Sequence, residues 1–376
     1  MKIIHVSDTH IGCEIPVKYR EIRRQDFLNA FKQVVEYAIR EKVDLIIHSG
    51  DFLDDYFKFS SNLTISLFEL MLELKNNGIP LVFIKGNHDS KGQKNNTLEL
   101  LKKLGLAIEA GKVPYVYKDI YVYGISEPPN LSGEELRQFY ISYLKNYKID
   151  KSGFTIFMFH GATNIFPELL EYEYDKYRIL PNDILPKADY YAFGHFHQKN
   201  LKNVDGTIYA IPGSTERTEI SKIEENSRKG FYLIEDNNIK FIEIKVRPIF
   251  LYETSLEREE DINKIKEIVL TKSKETLIKL RIRYNKSLYS VLKNFIDNLI
   301  ESGYYIIDEL FVKEVSEIFE ESSINFEDLL NNRFIVNKEE IIDLFNKLKG
   351  LFEEYYSEDE KNYIERVKEM FYKEII

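Results

Sequence analysis

At 376 residues and 44% apolar content, the chain exceeds one average domain and has enough core-forming residues for two or three. Its net charge of -10 counts against a large basic nucleic-acid face, although divalent cations in a site would change the local sign. One cysteine, Cys13, excludes a disulfide framework and a thiolate zinc site, and no apolar run reaches the roughly 18 residues of a membrane span. The N-terminus opens directly on a strand pattern without a signal or transit segment, so a cytoplasmic location is expected.

Residues 1–240 alternate strand and helix patterns, which predicts an α/β domain. The first strand, 2–7, runs into Asp8-Thr9-His10. Phe27, Phe31, Val34, Val35 and Ala38 form one stripe, predicting a helix over 23–41. The apolar run 43–49 leads into Gly50-Asp51, and 79–84 leads into Gly86-Asn87-His88-Asp89. Between them, 61–77 is helical and ends at Gly78. Its apolar residues, among them Ile65, Leu67, Phe68, Leu70, Met71 and Leu72, wrap more of the circumference than one buried stripe needs. A short helix, 97–104, follows, then a strand at 120–125 and a helix at 134–147. The run 155–159 enters His160-Gly161, and 190–193 enters Gly194-His195-Phe196-His197. After Pro212-Gly213-Ser214, the polar stretch 220–229 reads as a mobile surface loop, and 230–234 is the closing strand.

From 245 to 315 the order strand, helix, strand, helix, strand (246–256, 260–271, 276–284, 288–302, 304–312) predicts a small α+β domain. Lys272, Lys274, Lys279, Arg281 and Arg283 make it locally basic, which suits either phosphate contact or a solvated strand face. Residues 325–376 read as a helical pair, with capping boxes at Asn337/Glu340 and Ser357/Glu360. Helices this short are marginal alone, so 337–376 needs a partner, in this chain or another.

Ligands of open α/β folds bind beyond strand ends, and five apolar runs here end in polar residues. Converging on one rim, they would gather Asp8, His10, Asp51, Asn87, His160, His195 and His197. Carboxylate, imidazole and amide oxygen without thiolate suit Mn, Fe or Zn. Seven donors exceed one ion, and two ions about 4 Å apart are the economical arrangement for in-line attack on a phosphoryl group. His88, left over beside a ligand, suits proton donation to the leaving oxygen. His5 and His48 read as satisfied core residues and Cys13 as a packed small one.

This ordered set resembles the calcineurin-like metallophosphoesterases over roughly residues 1–235. The resemblance implies an α/β metallophosphoesterase β sandwich flanked by helices. It implies Asp8, His10, Asp51 and His197 around one metal, and Asp51, Asn87, His160 and His195 around the other. Asp51 would bridge, with His88 acting in the transition state. The segments 5–12 and 212–217, the small domain and the tail are similar to the DNA double-strand-break repair nucleases of the meiotic recombination eleven or SbcD-like family. That narrower resemblance implies two Mn(2+) per chain, exonuclease and single-strand endonuclease activity on DNA, and a small domain capping the site. It also implies a tail, 337–376, gripping a coiled-coil SMC-like ATPase. Where many members carry a histidine three residues after the bridging aspartate, this chain has Asp54, resembling the pattern in which an acid orients the catalytic histidine. The surplus apolar surface of 61–77 with 97–104 points to a homodimer. A phosphatase or cyclic-nucleotide phosphodiesterase is the enzymatic alternative. A non-catalytic scaffold should have lost ligands, and none is missing.

Overall fold

The computed structural model describes residues 1–312, apart from 55–61, 91–95, 146, 150–152, 172 and 237. The predicted helical pair at 325–376, with its partner-binding segment 337–376, lies outside the described residues. No helix among the described residues is long and apolar enough to cross a membrane.

Two six-stranded sheets face each other. The first has the spatial order Asn238–Glu243, Gly230–Glu235, Lys2–Val6, Leu45–Ser49, Leu81–Ile84, Ile108–Glu109. The second runs Asn200–Val204, Thr207–Ile211, Tyr190–Phe193, Phe154–Phe159, Ile120–Ile125, Tyr115–Tyr117. The central strands of both are parallel. They read as continuous apolar runs because both their faces are buried.

The period-two alternation of a strand sorts these residues into layers. Ile3, Leu45, Ile47, Val82 and Ile84 face Ile120, Val122, Ile156, Met158 and Ala192 between the sheets. Ile4, Val6, Ile46 and Phe83 point the other way, onto Phe31, Val34 and Leu67 of the helices Arg20–Glu41 and Asn62–Asn76. On the far side, Phe157, Phe159 and Phe193 meet Leu136 and Tyr140 of the helix Gly133–Leu144. The result is the helix–sheet–sheet–helix sandwich predicted for this part of the chain.

His5 lies in the inter-sheet layer and is fully satisfied. Ser49 Oγ donates to Phe193 O at 2.8 Å, so it must accept from His5 Nε2, 2.8 Å away. His5 Nδ1 therefore accepts from the Tyr190 hydroxyl at 2.9 Å. Burial keeps this imidazole neutral by pushing its pKa down to about 3. His48 has one nitrogen satisfied by Thr9 Oγ1, at 3.0 Å, while its Nδ1 has no hydrogen-bond partner. Cys13 is buried, and burial and then Asp54 push its thiol up to about 12, so it packs as an inert small residue.

A third sheet, Ile249–Leu256, Leu277–Tyr284 and Tyr305–Val312, is parallel throughout. The helices Asp261–Leu270 and Tyr289–Glu301 cross between its strands, close to the predicted bounds. Ile265, Val269, Leu292 and Ile296 pack on Ile278, Leu280 and Ile282.

One expectation fails in part. The stretch 220–229, exposed at Lys222, Ile223, Asn226 and Arg228, is not all loop: Ser221 caps a short helix, Lys222–Asn226, by accepting from Glu224 N. Glu224 and Lys229 are both buried and paired at 2.8 Å. Pairing lets charges that look solvent-bound in sequence go inside.

Candidate metal centre

The polar residues that follow the strands come together from both sheets. The first sheet supplies Asp8, His10, Asp51, Asn87 and His88, and the second supplies His160, His195 and His197. Asp8, His10 and His197 present ligand atoms within 4.8 Å of one another, as do Asp51, His160 and His195, and also His10, Asp51 and His88. Asn87 Oδ1 stands 3.1 Å from both His160 Nε2 and His195 Nδ1. A cavity of about 580 Å³ opens on this group, lined by Asp51, Asn87, His88, His195, His197 and Thr218 among others.

The backbone bends sharply to aim these side chains. Asp8, His10, Asp51 and His195 all have left-handed φ, at 50, 42, 53 and 79°. Non-glycine residues take this region at a cost, and clusters of them mark functional sites. Gly50, at φ +97°, lies where any Cβ would strike the His160 ring, and a Cβ on Gly86 would strike Asp51. Asp89 clasps the two loops together, accepting from Phe52 N, Leu53 N and Gly86 N at 3.1, 2.9 and 3.0 Å.

The hydrogen bonds behind the rings decide which nitrogens face the cluster. His160 Nδ1 is 2.9 Å from the Ser49 carbonyl, which can only accept, so Nδ1 carries the proton. Its Nε2 lies 3.2 Å from Asp51 Oδ2 and, with the ring protonated, donates to that carboxylate. His10 Nδ1 lies 3.2 Å from Asp54 Oδ2, and His197 Nδ1 lies 2.8 Å from Thr218 Oγ1. The two Nε2 atoms face each other at 3.2 Å, within hydrogen-bond distance, so at least one of them offers its lone pair to the cluster.

Charge tells the same story. Burial raises Asp8, only partly opposed by His160. Burial also works against ionised Asp51, but His160 and His88 overcome it and hold that carboxyl well below the usual range. The His160 ring, disfavoured as a cation by burial, is nonetheless driven up to about 10 by Asp51 and Asp8. Burial, then His10 and Lys229, keep His197 neutral, with its pKa well below the ordinary value. Among the described residues no Lys or Arg pairs with Asp8 or Asp51, and the His160 ring holds a proton beside Asp51 instead. Oxygen and imidazole donors with that deficit fit a divalent cation.

Asp54 stands between two rings, 3.2 Å from His10 Nδ1 and 4.0 Å from His88 Nδ1. The basic run of the small domain meets acids and rings near it in the fold. Lys279 pairs with Glu309 at 2.5 Å, and Arg281 with Glu309 at 2.8 Å and with Glu253. Lys272 and Lys274 lie over the Phe250 and Tyr304 rings. Arg283 is exposed on the same strand.

The family model for calcineurin-like phosphoesterases matches residues 1–199. A DNA double-strand break repair protein Mre11 of Sulfurisphaera tokodaii is 32% identical over 280 residues, 71% of this chain and 69% of that protein. The chain belongs to the Mre11 family of calcineurin-like phosphoesterases. A Saccharolobus solfataricus Mre11 is 34% identical over 260 residues, covering 66% of this chain and 65% of that protein, just under two thirds of its length. A Methanocaldococcus jannaschii Mre11 is 26% identical over 95% of this chain and 99% of its own. As a calcineurin-like member, this Mre11-family chain is a metal-dependent phosphoesterase, with donor clusters able to bind metal ions at its strand ends.

Sequence reasoning missed the residues behind the Mre11-family cluster: Thr218, Ser49, and the Glu224–Lys229 pair. Thr218 directly follows the 212–217 segment, which was the one available signal.

Proposed function

We propose that this chain is a Mn-dependent DNA nuclease that processes double-strand breaks as an exonuclease and single-strand endonuclease. The observation that carries the reading is the convergence of seven donor side chains, with His88 beside them, four of which (Asp51, Asn87, His195 and His197) line one cavity. The relatives' names point to broken DNA as the substrate. In this reading Asp8, His10, Asp51 and His197 hold one Mn(2+), and Asp51, Asn87, His160 and His195 hold a second. When bound, such ions neutralise phosphoryl oxygens and make water nucleophilic near neutral pH.

The remaining work falls to the chain itself. His88 N donates to Asp51 Oδ1 at 2.9 Å, which fixes the base of its side chain. Its ring stands edge-on to His10 with centroids 4.8 Å apart. The side chain is 29% exposed, so unlike His160 it can reach a substrate oxygen. His88 protonates the leaving oxygen, with Asp54 orienting His10 and His88.

The paired Lys279 and Arg281 favour a solvated sheet face over phosphate contact for the basic run. Ile65, Leu72 and Leu104 are exposed, which favours self-association of the two helices bearing or adjoining them. The family resemblance assigns 337–376 to a coiled-coil SMC-like ATPase, with the small domain capping the site.

The test compares Mn-dependent hydrolysis of single-stranded DNA, a phosphopeptide and a cyclic nucleotide by the purified chain. DNA should be the preferred substrate. Preference for the phosphopeptide or cyclic nucleotide overturns the nuclease reading, and no turnover on any of the three favours a scaffold.

A further inference from the structure

Lys229 stands immediately before the strand Gly230–Glu235 and is 2% exposed. A buried ammonium is costly unless its protons are all matched, and here they are. Nζ reaches His197 O at 3.1 Å, Ser214 Oγ at 2.8 Å and Glu224 Oε1 at 2.8 Å. Glu224 also accepts from Gln198 Nε2 at 3.0 Å. These partners surround one object, the turn that carries His197.

The same segment holds His197 in two further ways. Its carbonyl accepts from Ser214 N at 3.2 Å, and its ring Nδ1 meets Thr218 Oγ1 at 2.8 Å. Gly213, at φ +80°, presses so close that a Cβ there would sit 2.7 Å from His197 O. Residues 213–229 therefore grip His197 by main chain and ring together. His195, two residues earlier, is held by other groups: its N–H donates to Asp8, and its ring meets Asn87.

We propose that Lys229, with Thr218, is a positioning residue that sets His197 toward the cation shared by Asp8, His10 and His197, and that it serves this ion alone. The inference rests on the two-ion reading given above. The buried charge pair is retained because it anchors the turn from behind, where a neutral side chain could not engage the His197 carbonyl, Ser214 and Glu224 at once. Partners behind metal-bound histidines are worth about 10–100-fold in metal affinity.

The experiment titrates Mn(2+) into the full chain and reads free Mn(2+) by electron paramagnetic resonance. Wild type should show two classes of site. The double variant Lys229→Met with Glu224→Leu removes both buried charges at once, so neither is orphaned. Thr218→Val tests the ring contact in a background with the charge pair intact. Both should weaken one class, by about 10–100-fold in the double variant and about tenfold in Thr218→Val, and leave the other in place. His195→Ala should weaken the opposite class. Two unweakened classes in both variants overturn the proposal. Equal weakening of both classes overturns it too, because general loosening of the fold does that. A wild type with a single class removes the two-ion reading, and this proposal with it.

Discussion

Two regions of the molecule are dense in charge, and they resolve it in opposite ways. On the small parallel sheet, register places Glu253, Arg281 and Glu309 side by side on neighbouring strands, and Lys279 and Arg281 meet acids of their own chain. At the rim of the sandwich, Asp8 and Asp51 are buried among imidazoles, with the Nε2 atoms of His10 and His197 3.2 Å apart. The sheet closes its electrostatics internally. Among the described residues the rim leaves a deficit, with no Lys or Arg paired to either carboxylate. Density of charge alone does not mark a site; burial without internal compensation does.

The contrast can be broken most sharply at Asp51. Asp51→Ala removes the carboxylate common to both donor groups, and Mn-dependent DNA cleavage should fall to background, a loss beyond about 10⁴-fold. Near-normal turnover in that variant would break the two-ion assignment. His88→Ala comes next: turnover should drop by ~10²–10⁴ while Mn(2+) affinity stays at wild-type strength. Loss of affinity along with rate would make His88 a ligand.

Proton balance gives a smaller effect. In the metal-free chain the His160 pKa is raised to about 10, so its ring is protonated at pH 7–9 and a bound cation must displace that proton. The protonated ring adds stability to the metal-free fold that is fully present below about pH 6.5 and fades as pH rises through about 10. Apparent Mn(2+) affinity should therefore climb by up to about tenfold per pH unit between 7 and 9. Calorimetry in buffers of different ionisation enthalpy should register proton release. A flat affinity over that range contradicts the deficit.

The smallest effect belongs to the ladder. Arg281→Ala should leave the urea denaturation midpoint nearly unchanged, since exposed pairs are weak. The triple change Lys272→Ala, Lys279→Ala, Arg283→Ala should leave the salt dependence of DNA binding unchanged. Three phosphate contacts would have reduced the slope by about 2 to 3, and a change of that size would restore the phosphate-contact role.

How far these regions were readable from sequence follows from the range of the signals. The rim was legible because each donor sits directly after an apolar run, as in 43–49 before Gly50-Asp51, and parallel strands align such ends. The order of strands and helices in the small domain was legible for the same local reason, but the parallel pairing of its strands was not. Its ladder was not, because Arg281 and its partners Glu253 and Glu309 are 28 residues apart and only register joins them. Lys229 and Glu224 misled in the other direction: five residues apart in a polar stretch, they looked solvated until the fold closed over them. Thr218 meets His197 across 21 residues, a distance over which periodicity says nothing.

The His5 bridge has a mechanical consequence. Two face-packed sheets held by apolar contacts alone can shear, because such contacts have little preference along the sliding direction. Here Asp8, His10, Asp51 and Asn87 ride on one sheet and His160, His195 and His197 on the other. The chain from Tyr190 through His5 and Ser49 to Phe193 crosses the gap just beneath the rim, with each bond at 2.8–2.9 Å. Directional bonds of that kind act as a dowel: they fix the sliding coordinate, so the spacing between Asp51 and His160 is a property of the joint rather than of either sheet.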